Sequence, residues 1–174
     1  MRTRHLLVAL ALTPLAVATS LPAAADPTAA TVTVTGGALA ITVPVSAGNL
    51  GTRANTVAAG TISGPLGQVQ VNDARSAAAG SGWVASVIST AFTPPAGPAI
   101  PASAVGYVAN VIAKVGTATY TANDRTDLTG VAAAVTATGI TGDNSATWTP
   151  TISVAIPGGM AAAVYSATIT HSVL

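Results

Sequence analysis

The chain has 174 residues, of which 50% are hydrophobic and 6% are charged, and its formal net charge is +1 at pH 7. With so few cations and no basic run, it lacks the long-range field that gathers nucleic acid, and nucleic-acid binding is excluded. The chain contains no cysteine, so disulfides are excluded too and an apolar core must hold the fold.

The first 25 residues are typical of a signal peptide for export. Two arginines precede an apolar stretch from Leu6 to Val17, and three alanines at positions 23–25 resemble a cleavage site. A retained membrane anchor is disfavoured because the stretch contains Pro14 and is shorter than the roughly 20 residues of a spanning helix. We predict cleavage before Asp26 and a secreted mature part, residues 26–174, that forms one domain without a membrane span.

The mature part has the composition and periodicity of a sheet protein. Glutamate is absent, lysine occurs once, and Thr, Val, Gly and Ser recur in short runs between turn residues. Residues 146–156 and 165–173 alternate apolar and polar side chains with period two, which predicts strands. Pro150 cannot donate a ladder hydrogen bond, so the first of these strands is expected at an edge or with a bulge.

Weaker strand predictions fill most of the remaining mature sequence. They cover residues 30–35, 38–45, 57–62, 66–72, 83–92, 117–121 and 131–138, separated by Gly, Pro and Asn turn signals. The four prolines of residues 93–101 predict an extended surface loop, and residues 103–114 fit either a strand or a short helix. The predicted fold class is an all-β, antiparallel sandwich or barrel-like domain.

The ionisable residues do not form a catalytic set. The aspartates of the mature part lie mostly beside turn residues and are predicted to serve turns, with a calcium site at Asp124 and Asp127 as the alternative. His171 lies on the apolar face of the last strand, and no Gly-x-Ser-x-Gly elbow is present, so a hydrogen-bonded core histidine is predicted over a general base. We therefore expect no enzymatic activity, no metal and no cofactor.

The two tryptophans stand out in a chain with few aromatic residues. Trp148, inside a predicted strand, is expected in the core, where an alanine-rich interior needs large side chains. Trp83 begins a predicted strand after Gly82. It is interpreted either as a core residue or as a stacking platform for a sugar or peptide.

Three segments together resemble a WxL domain. The run Val71 to Arg75, followed after a gap by Gly82-Trp83, is similar to the V-x-D-x-R segment that leads to G-W-x-L. The end of the chain, residues 165–174, is similar to the Y-x-A-x-L-x-W-x-L ending with the second motif copy. With the entry strand at residues 39–44, the likeness covers nearly the whole mature chain.

This resemblance implies a location and a ligand. WxL domains are β-rich and attach noncovalently to the Gram-positive cell wall, so the chain is expected at the cell surface with peptidoglycan as its partner. Ala85 stands where the first motif has Leu, and His171 and Val173 stand where the second has Trp and Leu. The alternative function is a structural or adhesive extracellular protein that binds other surface proteins at strand edges, without wall affinity. The residues assigned to binding are Trp83, Asp73 and Arg75, with His171 and Val173 as a second motif.

Overall fold

The computed structural model describes residues 29–174, and the predicted signal peptide, residues 1–25, lies outside the described part. Eight strands form within it. They are β1 (Leu39–Thr42), β2 (Gly60–Pro65), β3 (Val69–Ser89), β4 (Val105–Val108), β5 (Ile112–Ala122), β6 (Ala132–Trp148), β7 (Thr151–Ile156) and β8 (Ile169–Val173). A three-residue 3₁₀ helix, Ala102–Ala104, precedes β4.

The strands form two antiparallel sheets that pack against each other, which confirms the predicted all-β sandwich-like fold. The larger sheet has the order β1-β3-β6-β5, and the smaller has the order β2-β7-β4. Strand β8 also joins the larger sheet, where it pairs with the second half of β3 while β1 pairs with the first half. The first strand of the domain, β1, and the last, β8, therefore both pair with β3.

The two longest strands each combine segments that the sequence predicts as separate. The Ala79-Gly80 separator lies inside β3, and residues 139–144 lie inside β6. Register shifts along the β3–β6 ladder accommodate these residues, and Gly80, Gly139 and Gly142 have positive φ angles of 88°, 63° and 72°. The glycines thus form irregularities within continuous strands rather than turns that end them.

The prediction of one strand over residues 146–156 is wrong at Pro150. Strand β6 ends at Trp148 in the larger sheet, and β7 begins at Thr151 in the smaller sheet. The proline lies where the chain passes between sheets, and its carbonyl accepts a hydrogen bond from Leu66 N at 2.9 Å. Because the chain leaves the ladder there, the missing N–H is tolerated although β7 is a central strand.

The other observed strand boundaries lie closer to the predicted ones, except for the predicted strand before β1. Residues 29–38, which include the predicted strand at 30–35, have no regular secondary structure. Residues 103–114 contain β4 and the start of β5, and the Pro-rich segment remains a loop with an isolated bridge between Phe92 and Ile100. Within the described residues, no helix has the length and hydropathy to cross a membrane.

The core between the sheets contains the largest side chains of the domain. Trp83, Trp148 and Tyr107 are each at most 2% exposed. Small residues such as Ala134 and Ala137 surround these rings. The rings supply the apolar area that alanines lack, so the prediction that Trp148 lies in the core is confirmed.

Candidate functional site

The V-x-D-x-R motif forms an ion pair on β3 between a buried carboxylate, Asp73, and an exposed guanidinium, Arg75. The side chain of Asp73 is wholly buried, and Arg75 donates from Nε to Oδ1 at 2.8 Å and from Nη2 to Oδ2 at 2.9 Å. The backbone N–H of Arg75 adds a third bond to Oδ1 at 3.2 Å. The hydrogen bonds from Arg75 lower the pKa of Asp73, although burial opposes them. The carboxylate therefore stays ionised inside the domain.

Asn144 connects this ion pair to the motif tryptophan. Its side-chain amide donates to Asp73 Oδ2 at 3.1 Å, and its Oδ1 accepts from Trp83 Nε1 at 3.0 Å. The Tyr120 hydroxyl donates to the same oxygen at 3.1 Å. A carboxylate can only accept and an indole N–H can only donate, so these partners fix the orientation of the amide.

Strand register brings these residues together. Asp73 and Asn144 are direct cross-strand partners on β3 and β6. The register of this ladder shifts between Asp73 and Trp83, so Trp83 pairs with Ala137, nearer the start of β6. Gly82 precedes the tryptophan where a Cβ atom would lie 2.7 Å from the carbonyl oxygen of Ala137. The glycine of the motif thus permits the close approach of β6 that places the indole inside.

These contacts decide between the two interpretations of Trp83. The residue is 2% exposed, and its ring packs at a tilt against Tyr120 with ring centroids 5.7 Å apart. Neither ring face is open to a sugar in this conformation. Trp83 is a core residue, and the three residues assigned to binding form one hydrogen-bonded polar cluster that runs from the core to the exposed Arg75. We call it the motif cluster: Asp73, Arg75, Trp83, Tyr120 and Asn144.

The second motif lies beside the first. Val173 on β8 is the cross-strand partner of Ala85, and His171 is the partner of Val87. His171 Nε2 lies 3.2 Å from the hydroxyl oxygen of Tyr107, which accepts a hydrogen bond from Trp148 Nε1 at 2.7 Å. The hydroxyl oxygen of Tyr107 therefore joins the second motif to a core tryptophan.

Burial perturbs both titratable groups of this second cluster. Burial raises the pKa of Tyr107 to about 12 and lowers the pKa of His171 to about 4. The buried Nδ1 of His171 has no hydrogen-bond partner among the described residues. A neutral imidazole can accept the Tyr107 proton at Nε2, whereas protonation would place a charge in this core. The predicted hydrogen-bonded core histidine matches this geometry.

Three members of these clusters are not predicted from the sequence: Asn144, Tyr107 and Tyr120, the last of which lies in the predicted strand at residues 117–121. Asn144 was assigned to a turn, although the alternation of Ala146 and Trp148, extended back by one step, places it on the inward face. Tyr107 falls in the segment that fitted either a strand or a helix, and its burial depends on the pairing of β4 with β7. The sequence signal for Asn144 is its position as a polar residue on the inward, otherwise apolar face of β6.

Both aspartates of the predicted alternative calcium site accept hydrogen bonds from backbone N–H groups. Asp124 Oδ1 accepts from the backbone N–H of Ala109 at 3.1 Å, and Asp127 Oδ1 accepts from that of Thr129 at 2.7 Å. No group of three or more His, Cys, Asp or Glu side chains that could hold a metal occurs in residues 29–174. The bond of Asp127 matches its predicted turn role, whereas the bond of Asp124 joins residues 15 positions apart and is not a turn contact.

The outer surface of the larger sheet carries uncharged polar side chains in register. Gln70 is the cross-strand partner of both Thr42 and Thr147, and Asn72 is the partner of Ser145. Neighbouring strands of an antiparallel sheet lie about 4.8 Å apart, and the cross-strand row through Gln70 lies about 6.8 Å from the row through Asn72. We call this exposed or half-exposed surface the polar face: Thr42, Gln70, Asn72, Ser145 and Thr147.

A second exposed feature is a cleft of about 1010 Å³ lined by residues 44–56 and 160–169 together with parts of β2 and β7. Apolar side chains form much of its lining: Leu50, Ile62, Phe92, Val154, Ile156 and Tyr165. Arg53 is the charged residue of the lining, and its Nη2 donates to the carbonyls of Ala58 and Ala59 at 3.0 and 3.1 Å. We call this feature the loop cleft.

Comparison with protein-family models, curated proteins and solved structures finds no match to this chain. The structure itself defines a two-sheet, all-β domain with two polar clusters that reach into the core, an exposed polar face and a loop cleft.

Replacing Trp83 by phenylalanine tests its core role. Trp83→Phe removes the indole donor from Asn144 and leaves unfilled volume, so we expect a loss of about 2–3 kcal/mol in the free energy of unfolding, measured in urea. Tyr165→Phe, which loses an exposed hydroxyl bond to Ala161 O, should cost less than about 0.5 kcal/mol. An unchanged stability in Trp83→Phe, combined with lost wall binding, would contradict the core assignment.

Protonation of His171 should destabilise the domain. Its pKa is about 4 when folded against 6.5 in the unfolded reference, so the stabilisation is present above pH 6.5 and is lost as the pH falls toward 4. The expected slope is at most about 1.4 kcal/mol per pH unit. Urea midpoints between pH 7 and pH 4.5 measure it, with His171→Phe as a control that should flatten the profile. Asp73 and Asp127, whose pKa values are lowered below 3.8, titrate outside this window.

Proposed function

We propose that this protein is a secreted, non-catalytic surface module of the WxL type that attaches noncovalently to the Gram-positive cell wall, with peptidoglycan as its ligand. The proposal joins the motif resemblance to one structural observation. The two motif copies, about 90 residues apart in sequence, occupy adjacent strands and pair through Ala85 and Val173. Such pairing is expected if both copies belong to one structural unit.

The positions at which the chain departs from the motif support this proposal. Ala85 and Val173 replace two leucines of the pattern, and they are direct partners across β3 and β8. His171 replaces a tryptophan and retains a polar contact with Tyr107. Each replacement therefore fits within the paired strands β3 and β8. We assign a structural role to Ala85, His171 and Val173.

The polar face is the surface that we assign to peptidoglycan. Amide and hydroxyl groups both donate and accept hydrogen bonds, which matches the hydroxyl and acetamido groups of a glycan strand. The row through Gln70 places polar side chains on three strands of the larger sheet, Thr42, Gln70 and Thr147, and the row through Asn72 places them on two, Asn72 and Ser145. A row of uncharged groups across several strands suits an extended neutral polymer better than a small charged ligand.

The alternative proposal is a structural or adhesive extracellular protein that binds protein partners without wall affinity. Strand β5 supports it, because β5 pairs on one side with β6 and forms an edge of the larger sheet. Exposed valines lie on or beside this edge, with Val111 86% and Val115 69% exposed. Such an edge can accept a strand from another protein.

A wall-pelleting assay tests the proposal. The double variant Gln70→Glu/Asn72→Asp keeps the shape of both side chains but removes their amide donors and adds charge. We expect its affinity for isolated cell walls to fall about tenfold, or about 1.4 kcal/mol. The matched control Asn49→Asp/Asn55→Asp makes the same change in the exposed loop at residues 44–58 and should pellet like the wild type.

Two results would contradict the proposal. A wild-type domain that stays wholly in the supernatant would remove wall binding and favour the protein-partner alternative. Binding that is lost in the loop control but kept in the polar-face variant would place the ligand in the loop cleft instead.

A further inference from the structure

The segment before β1 has the sequence of a strand without a strand's pairing. Residues 31–35 read Thr-Val-Thr-Val-Thr, yet they form no regular secondary structure. Val32 is 91% exposed and Val34 is 87% exposed. Alternation of valine with threonine is typical of a strand that buries one face. This segment, which we call the arm, therefore presents an apolar face to solvent.

The loop cleft has an apolar lining against which the exposed valines of the arm could pack. Its apolar lining includes Ile62 of β2 and Ile156 of β7, and two partly buried rings, Phe92 and Tyr165, lie in the same lining. Strand β2 forms an edge of the smaller sheet, with β7 as its single partner strand. An apolar surface beside a sheet edge is the setting in which an added strand binds through its backbone and alternate side chains.

The charges of the arm and the cleft are also compatible. The sequence has no charged residue from Pro27 to Thr52, so the arm carries none. The cleft lining contains a single charged side chain, Arg53, which donates to backbone carbonyls and forms no ion pair within residues 29–174. An uncharged strand thus brings no charge of its own into the cleft, and the guanidinium of Arg53 keeps its bonds to backbone carbonyls.

We propose that the arm of one copy binds in the loop cleft of a second copy, with Val32 and Val34 against the apolar lining and the threonines toward solvent. The arm and the cleft are different surfaces of one chain, so this contact is heterologous and each added copy leaves a free arm at one end and a free cleft at the other. The product is a head-to-tail chain of surface domains. This inference does not rest on wall binding.

Sedimentation of the chain spanning residues 26–174 over a range of concentrations tests this inference. The wild type should form oligomers that grow with concentration. The variant Val32→Asp/Val34→Asp should associate at least about tenfold more weakly, because two apolar contacts are lost and two charges would be buried. The matched control Thr31→Asp/Thr33→Asp adds the same charges to the opposite face of the arm and should still assemble.

A complementation experiment supplies the decisive result. Met160→Asp places a charge in the cleft lining while leaving the arm intact. If it fails to fold, Ala163→Arg, at an exposed position of the same lining, takes its place. Each variant alone should be monomeric, and a mixture of the arm variant with the cleft variant should give a heterodimer, formed by the intact arm of one and the intact cleft of the other.

Three outcomes would overturn the inference. They are a wild type that remains monomeric at every concentration, an arm variant that assembles like the wild type, and a mixture that yields no heterodimer. A monomeric wild type that loses stability on Val32→Asp/Val34→Asp would show instead that the arm packs within its own chain.

Discussion

The ionised carboxylate of Asp73 is the constraint on which the interior of this domain depends. A carboxylate removed from water is tolerated only if its oxygens are fully engaged, and here Arg75 and Asn144 provide the donors. The carboxylate thereby fixes the amide of Asn144, and this amide in turn positions the indole of Trp83 and the hydroxyl of Tyr120. One buried charge is thus linked through Asn144 to side chains of β3, β5 and β6, in addition to the backbone pairing of these strands.

The alternation along β3 places different side chains on the inner and the outer face of the larger sheet. On strand β3, the inward residues Val71 and Asp73 are buried, while Gln70 and Asn72 point to the opposite, exposed face. Of the motif residues on this strand, Asp73 and Trp83 are therefore held in the interior, while Arg75 reaches the surface.

Period-two alternation predicted the sheet class, the burial of Trp148 and the extended C-terminal segment, because side chains that alternate between core and solvent leave a local pattern. The sequence did not predict that glycines at 80, 139 and 142 lie within strands, since a bulge and a turn use the same residues. Asn144 was missed for a related reason. Its partners, Asp73 and Trp83, are 71 and 61 residues away, and only tertiary pairing brings them into contact.

The ionisation of Asp73 in the folded protein tests the central claim most directly, because burial and hydrogen bonding move this pKa in opposite directions. The measurement is a titration of its side-chain carboxyl carbon by NMR in the intact domain. If Arg75 and Asn144 outweigh burial, the midpoint will lie below the ordinary value of 3.8. A midpoint at or above 3.8 would contradict the account, since the carboxylate would then be destabilised in the core rather than held there.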